Sequence, residues 1–211
     1  MARLILIAGG SSSGKTTISK AIAESLNGLT VSLISMDDYY KDVSKLTAAE
    51  IDRYNFDHPD AIDFSLLERD ICDAIENNDI LTPSYDFISH KSNPRTVLVS
   101  RSDVILLEGI FALYYEPLIA RADLKLFVDA APDVRLSRRI LRDLNERGEN
   151  TKNVLKKYMS NVKQMHDSFI EPTKKKADII IPGESSFEVA LDMINGYLIK
   201  RVIDNEISKR N

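Results

Sequence analysis

The chain has 211 residues, 44% of them hydrophobic and 28% charged, which suits one α/β domain with a substantial core. Its formal net charge of −4 excludes a general nucleic-acid-binding surface, although a local basic pocket fits within that balance. The single cysteine, Cys72, excludes a disulfide framework or a cysteine-rich metal site and reads as a buried small hydrophobe in a reducing cytoplasm, and no stretch approaches a membrane span or a signal-peptide layout.

Leu4, Ile5, Leu6, Ile7 and Ala8 form an apolar run expected of a strand buried on both faces. Gly9, Gly10, Ser11, Ser12, Ser13, Gly14, Lys15 and Thr16 follow and match the phosphate-binding pattern G-x-x-x-x-G-K-[ST]. A helix over 17–26 comes next, with Ile18, Ala21, Ile22 and Leu26 at helical spacing. Phosphates must approach backbone amides closely, so side chains here must be small or absent. The helix N-terminus aims free N–H groups at the anion. Lys15 is expected on the β/γ-phosphates and the Thr16 hydroxyl on Mg2+.

A second strand over 30–35 delivers Asp37 and Asp38 to the carboxyl edge of the sheet, where ligands bind in open α/β folds. Either carboxylate suits an acceptor hydroxyl and Mg2+, and either suits a turn cap. Thr47 with Glu50 predicts a capping box. Residues 55–63 read as an ordered loop. Ser65 is expected to cap a helix whose apolar face is Leu66, Leu67, Ile71, Ala74 and Ile75, with Glu68, Arg69 and Asp70 on a solvated face. Strands over 81–87 and 96–99 around a loose loop at 91–94 predict a hairpin lobe, about 80–100. Its Tyr85, Phe87 and His90 suit an acceptor pocket, although aromatics at spacing two also serve hairpin packing.

A third buried strand, 103–109, ends in Glu108 and Gly109, with Glu108 placed to touch Mg2+ directly or through water. A fourth covers 124–129. Pro132 opens a helix carrying Arg135, Arg138, Arg139, Arg142 and Arg147, broken at Gly148. A second helix follows with Val154, Leu155, Tyr158, Val162, Met165 and Phe169 on one face. Beside a phosphate loop this hairpin, about 132–170, reads as a lid that neutralises phosphate charge and excludes water; a solvated basic face paired with Asp143 and Glu146 is the alternative. Lys174 to Lys176 read as a solvated turn. A strand at 177–182 and an amphipathic helix through Phe187, Ala190, Leu191, Ile194, Leu198 and Val202 close the chain. The whole predicts a single three-layer α/β domain over 1–211 with about five parallel strands.

Several segments together resemble the uridine kinase (uridine–cytidine kinase) family of P-loop kinases. They are the Gly9–Thr17 loop, Asp37-Asp38-Tyr39-Tyr40, Asn55-Phe56-Asp57-His58-Pro59, Tyr85-Asp86-Phe87 with His90, Leu107-Glu108-Gly109, the lid around Arg138-Arg139 and Arg147-Gly148, and Glu171-Pro172-Thr173. The resemblance implies phosphorylation of the 5′-hydroxyl of uridine or cytidine by ATP or GTP. It implies Asp37 as catalytic carboxylate with Lys15, and a donor site of Gly9 to Thr17 with Arg142 and Arg147. It implies Thr16, Glu108 and Asp37 near Mg2+, Asp57 and Arg139 near the nucleoside, and Tyr85, Phe87 and His90 around the base. It also implies a cytoplasmic homotetramer without nucleic-acid or membrane partners. Glu149 and Lys157 depart from the family, which commonly carries arginine and glutamine there. Other readings are a related kinase for another nucleoside, a sugar phosphate or a pantothenate-type acceptor, and a non-catalytic nucleotide switch. The aromatic trio argues for a planar base, and Asp37 beside an arginine lid exceeds what a switch needs.

Overall fold

The structure is a computed structural model describing residues 1–210. In chain order, β1 (Arg3–Gly9) passes through the phosphate loop into α1 (Lys15–Ser25), and β2 (Val31–Ser35) runs into a single 3-10 turn, Met36–Tyr39. Then come α2 (Ala48–Arg53), α3 (Phe64–Ile75), β3 (Ile80–Asp86), β4 (Lys91–Val99), β5 (Val104–Glu108), α4 (Glu116–Ile119), β6 (Leu124–Asp129) and α5 (Pro132–Glu146). The chain continues through α6 (Thr151–Lys157), a π-helical turn Tyr158–Val162, α7 (Lys163–Met165), a second π-helical turn His166–Ile170, β7 (Ile179–Pro182) and α8 (Glu188–Arg210).

Five parallel strands form the central sheet in the order β2-β5-β1-β6-β7. Strand alternation sends Leu4, Leu6 and Ala8 of β1 to one face, where they meet Ile71 of α3 and Phe111. Ile5 and Ile7 go to the other, against Ile18 and Ile22 of α1 and Ile194 and Leu198 of α8. Both faces are therefore covered, which is why β1 and β5 read as unbroken apolar runs. The strand order places the carboxyl ends of β1, β2 and β5 side by side. Those ends carry the phosphate loop, the Asp37 turn and Glu108.

The antiparallel hairpin β3–β4 is a separate two-stranded sheet. Its strands run closer to the tip than expected, so the loop is 87–90 and Pro94 lies inside β4. Pro83 cannot donate to a ladder, and the register shifts between Thr82 and Ser84. The hairpin is tied to the Asp37 turn through Tyr85 N, which donates to Asp38 Oδ1 at 3.4 Å.

The structure corrects several local expectations. Asp63, not Ser65, caps α3, with its Oδ1 accepting from Leu66 N at 3.0 Å. The Thr47–Glu50 capping box is present. Cys72 is half-buried rather than fully buried. Lys174 and Lys176 are not merely solvated: they pair with Asp129 at 2.5 Å and Glu116 at 2.6 Å. In the second lid helix the buried line is Val154, Tyr158, Val162, His166 and Ile170, while Leu155 is exposed. The π-helical turns are wider than α-helical ones and keep an i, i+4 line on one face.

Asp70 is the largest of these corrections. It is only 2% exposed; it accepts from Tyr39 Oη at 3.3 Å and from Arg69 Nη2 at 3.2 Å, and lies 3.9 Å from Arg95 of β4. A carboxylate expected in solvent thus braces the turn bearing Asp37. Asp70→Ala is expected to lower the unfolding free energy by about 2 kcal/mol, because it strands the buried Tyr39 hydroxyl. Asp70→Asn, which keeps an acceptor, should cost less. Urea denaturation of both variants measures the difference, and equal stability of the alanine variant and the parent would contradict the bracing role.

Candidate active site

The phosphate loop takes its shape from glycines where side chains do not fit. Gly9 has φ +148°, and a Cβ there would collide with the Val128 carbonyl of β6. Gly14 caps α1 in the left-handed region at φ 109°. Lys15 lies under the loop, 8% exposed, with Nζ donating to Gly10 O at 3.0 Å. Burial pushes its ammonium below the ordinary value, while the Glu108 and Asp37 carboxylates act in the opposite direction. Burial pushes Glu108 above the ordinary carboxylate range, and Lys15 opposes that.

Thr16 Oγ1 donates to Glu108 Oε1 at 3.0 Å, joining the start of α1 to the end of β5. Asp37 sits one strand away on the turn after β2, its backbone N–H held by Ser35 Oγ at 3.3 Å. Thr16, Glu108 and Asp37 offer only oxygen donors, the set preferred by a hard divalent cation such as Mg2+. Among the described residues no group of three or more His, Cys, Asp or Glu could hold a metal ion. A cation here therefore needs phosphate and water oxygens to complete its shell.

Two cavities meet at this point. The first, of about 570 Å3, is lined by Ser11, Ser12, Gly14, Lys15, Thr16 and Thr17 of the loop and α1, with Glu108 and Arg138 opposite. The second, of about 310 Å3, is lined by Tyr40, Tyr54, Phe56, Phe87 and His90, with Asp57, Arg139 and Arg147. Asp37, Ser11, Ile110 and Arg142 line both. Asp38 lines neither, its carboxylate being engaged by the hairpin.

The arginines of α5 divide between the cavities. Arg138 Nη1 donates to Gly183 O at 2.8 Å beside the first. Arg139 Nη1 donates to Ser11 Oγ at 3.1 Å and lies 3.5 Å from Asp57 Oδ1 beside the second. Buried Asp143 gathers Arg139 at 3.3 Å, Arg142 at 2.8 Å and Arg147 at 3.7 Å. Arg147, expected on the donor, lies at the aromatic cavity instead, its guanidinium 4.0 Å from the Phe87 ring centroid. Arg135 is buried, donating Nε to Ala130 O at 3.0 Å.

Of the expected base-facing trio, Phe87 and His90 stand on the cavity wall. Tyr85 does not: it is buried behind Tyr40, with ring centroids 5.3 Å apart. Sequence reasoning missed Tyr40, Tyr54 and Phe56 as wall residues. Phe56 stacks on His90 at 4.8 Å. It also missed Gly183, where a Cβ would collide with the Ser13 carbonyl. Its only signal was a glycine directly after the last strand.

The chain matches the family described as "PRK: Phosphoribulokinase / Uridine kinase family" over residues 4–190. It is 42% identical to the uridine kinase of Staphylococcus carnosus (strain TM300) over 203 residues, which are 96% of this chain and 97% of that protein. It is 44% identical to the uridine kinase of Staphylococcus haemolyticus (strain JCSC1435) over 191 residues, covering 90% and 92%. Among solved structures, phosphoribulokinase from Rhodobacter spheroides aligns with a TM-score of 0.62 at 21% identity over 86% of this chain and 70% of that one, a likeness of fold. The chain belongs to the phosphoribulokinase/uridine kinase family.

Proposed function

We propose that this protein transfers the γ-phosphate of ATP or GTP to the 5′-hydroxyl of a pyrimidine nucleoside, with uridine as acceptor. The observation that carries the reading is Asp37 on the shared wall of a loop-lined cavity and an aromatic one. The uridine kinase relatives favour a nucleoside over a sugar phosphate or a pantothenate-type acceptor.

The donor phosphates lie on the loop amides, with Lys15 on the β/γ-phosphates. Thr16, Glu108 and Asp37, together with donor oxygens, would hold Mg2+, which when bound would neutralise charge on the phosphate oxygens. Asp37 orients the 5′-hydroxyl and takes its proton as the 5′-oxygen bonds to the γ-phosphorus and the bond to the bridging oxygen breaks. Arg142, on both cavity walls, adds positive charge where the phosphoryl group crosses. Asp57 and Arg139 hold the ribose hydroxyls. Phe56, Phe87 and Tyr40 present ring faces and edges to the base.

The helices α5 to α7 serve as a lid that excludes water from the transferring phosphate. The active protein is expected in the cytoplasm as a homo-oligomer; among the described residues no helix is long and apolar enough to cross a membrane. ADP release measured across a panel of nucleosides, sugar phosphates and pantothenate tests the reading. Release dependent on a pyrimidine nucleoside is the expected result. Release driven only by another acceptor, or none with any, would overturn it.

A further inference from the structure

We propose that Arg135 is a positioning residue for the phosphate donor: its buried guanidinium holds the Gly10 peptide of the loop from behind and carries a charge that the donor's phosphates compensate. This rests on the reading of the loop as the donor site, and it accounts for a glycine that the loop pattern leaves open. Gly9, Gly14, Lys15 and Thr16 are the fixed positions of G-x-x-x-x-G-K-[ST], and Gly10 falls on the first variable one. Gly9 and Gly14 stand at positive φ, whereas Gly10 does not, so its backbone makes no demand for glycine. What excludes a side chain there is Arg135. A Cβ on Gly10 would come 2.5 Å from Nη1, 2.9 Å from Cδ and 3.0 Å from Cζ of that arginine.

Arg135 is not free to swing away. It is buried near the start of α5, its backbone N–H donating to Ala131 O and its Nε to Ala130 O, each at 3.0 Å. It lines neither the loop cavity nor the aromatic one. It borders a separate cavity of about 440 Å3, together with Asp129, His166, Asp167, Glu171 and Glu184. None of these takes up its charge. Asp129 pairs with Lys174, and Glu171 with His166 and Lys174. Glu184 accepts from Ala131 N, and Asp167 is exposed. Burial, followed by Arg135 itself, holds His166 below the ordinary histidine value, so its ring is neutral near pH 7. Among the described residues no carboxylate forms an ion pair with Arg135.

A buried cation without an ion pair costs stability. One packed against a phosphate-binding peptide finds its countercharge in the donor. The Gly10 peptide is clamped between two cations: its carbonyl accepts from Lys15 Nζ at 3.0 Å, and Arg135 packs against its Cα. The peptide cannot turn without breaking the first contact or colliding with the second, so the loop amides are set before the donor arrives. The two charges also feel each other. Burial lowers the Lys15 ammonium most, and Arg142 and Arg135 add to it against the pull of Glu108 and Asp37. Anionic phosphates on the loop relieve that crowding, which makes the donor bind more tightly for the presence of Arg135.

The experiment is the ATP dissociation constant by equilibrium binding, with a thermal melt on each preparation, for the parent, Arg135→Ala, Gly10→Ala and the doubly substituted protein. Arg135→Ala is expected to weaken ATP binding about tenfold, the order expected of one charge acting through the loop at an effective dielectric of about 20. Gly10→Ala should weaken it about tenfold in the parent, through the collision. In the Arg135→Ala background the added methyl has room. The double variant should therefore bind ATP about as well as Arg135→Ala alone, where independent effects would multiply to about a hundredfold. Arg135→Gln, which keeps a donor for Ala130 O without the charge, supplies the affinity readout if the alanine variant folds poorly, and should raise KM for ATP more than it lowers kcat. Parental ATP affinity in the Arg135 variants overturns the proposal, and so do losses that multiply in the double variant. A purely structural Arg135 would lower the melting temperature and leave the affinity of the folded protein unchanged. A parent that binds neither ATP nor GTP overturns the donor-site reading itself, and the proposal with it.

Discussion

Lys15→Ala is expected to lower phosphoryl transfer by about a thousandfold or more, to near background, while the protein keeps its fold. The size follows from where the charge sits. Lys15 is buried under the loop with its ammonium on the Gly10 carbonyl and within the field of Glu108 and Asp37. Among described residues lining the loop cavity, it is the cation beneath the loop, whereas Arg138 and Arg142 belong to α5. Removing it leaves Glu108 and Asp37 with less compensation exactly where negative charge gathers during transfer. Lys15→Arg should not restore the rate, because a planar guanidinium does not fit a space shaped for a compact point charge. Steady-state ADP release and a thermal melt on the same preparations separate lost catalysis from lost folding. A near-native rate in the alanine variant would contradict the loop's role.

The parts legible in the sequence were those whose physics is local. A phosphate loop needs its glycines, lysine and hydroxyl at fixed spacing. The five parallel strands were legible because burial on both faces leaves continuous apolar runs such as 4–8 and 104–107. The capping box at Thr47 needed only four residues. What escaped notice depends on contacts between segments far apart in the chain. Asp70 looked solvated by helical periodicity, yet it is covered by the Tyr39 turn and the β4 strand, neither of which lies next to it in sequence. Arg147 was assigned by its place in an arginine-rich helix, but the turn after α5 carries it onto Phe87. Tyr85 and Phe87 obey the strand period of two, so both read as wall residues. Tyr40, contributed by another element, fills the space in front of Tyr85. Glu149 and Lys157 each read as an isolated departure, and only the fold of the lid brings them to one ion pair.

Asp37→Ala is expected to reduce kcat by on the order of 100- to 10,000-fold while ATP still binds with its parental affinity. The choice between Asp37 and Asp38 was open from sequence, since both follow β2 and both suit a turn. Geometry separates them. Asp37 lines both cavities, the loop-lined one and the aromatic one. Asp38 points at the hairpin, accepts from Tyr85 N, and is pushed above the ordinary carboxylate range by burial. Asp38→Ala should therefore loosen the hairpin and raise KM for the acceptor more than it lowers kcat, the reverse of the Asp37 signature. Asp37→Asn sharpens the test, because it keeps the size and the hydrogen-bonding reach but cannot take a proton, so it should fall close to the alanine variant in kcat. Rates from single-turnover quench, with ATP affinity from equilibrium binding, distinguish the two positions. An Asp37→Asn protein retaining most of the parental rate would remove the carboxylate from proton transfer and leave it only an orienting role.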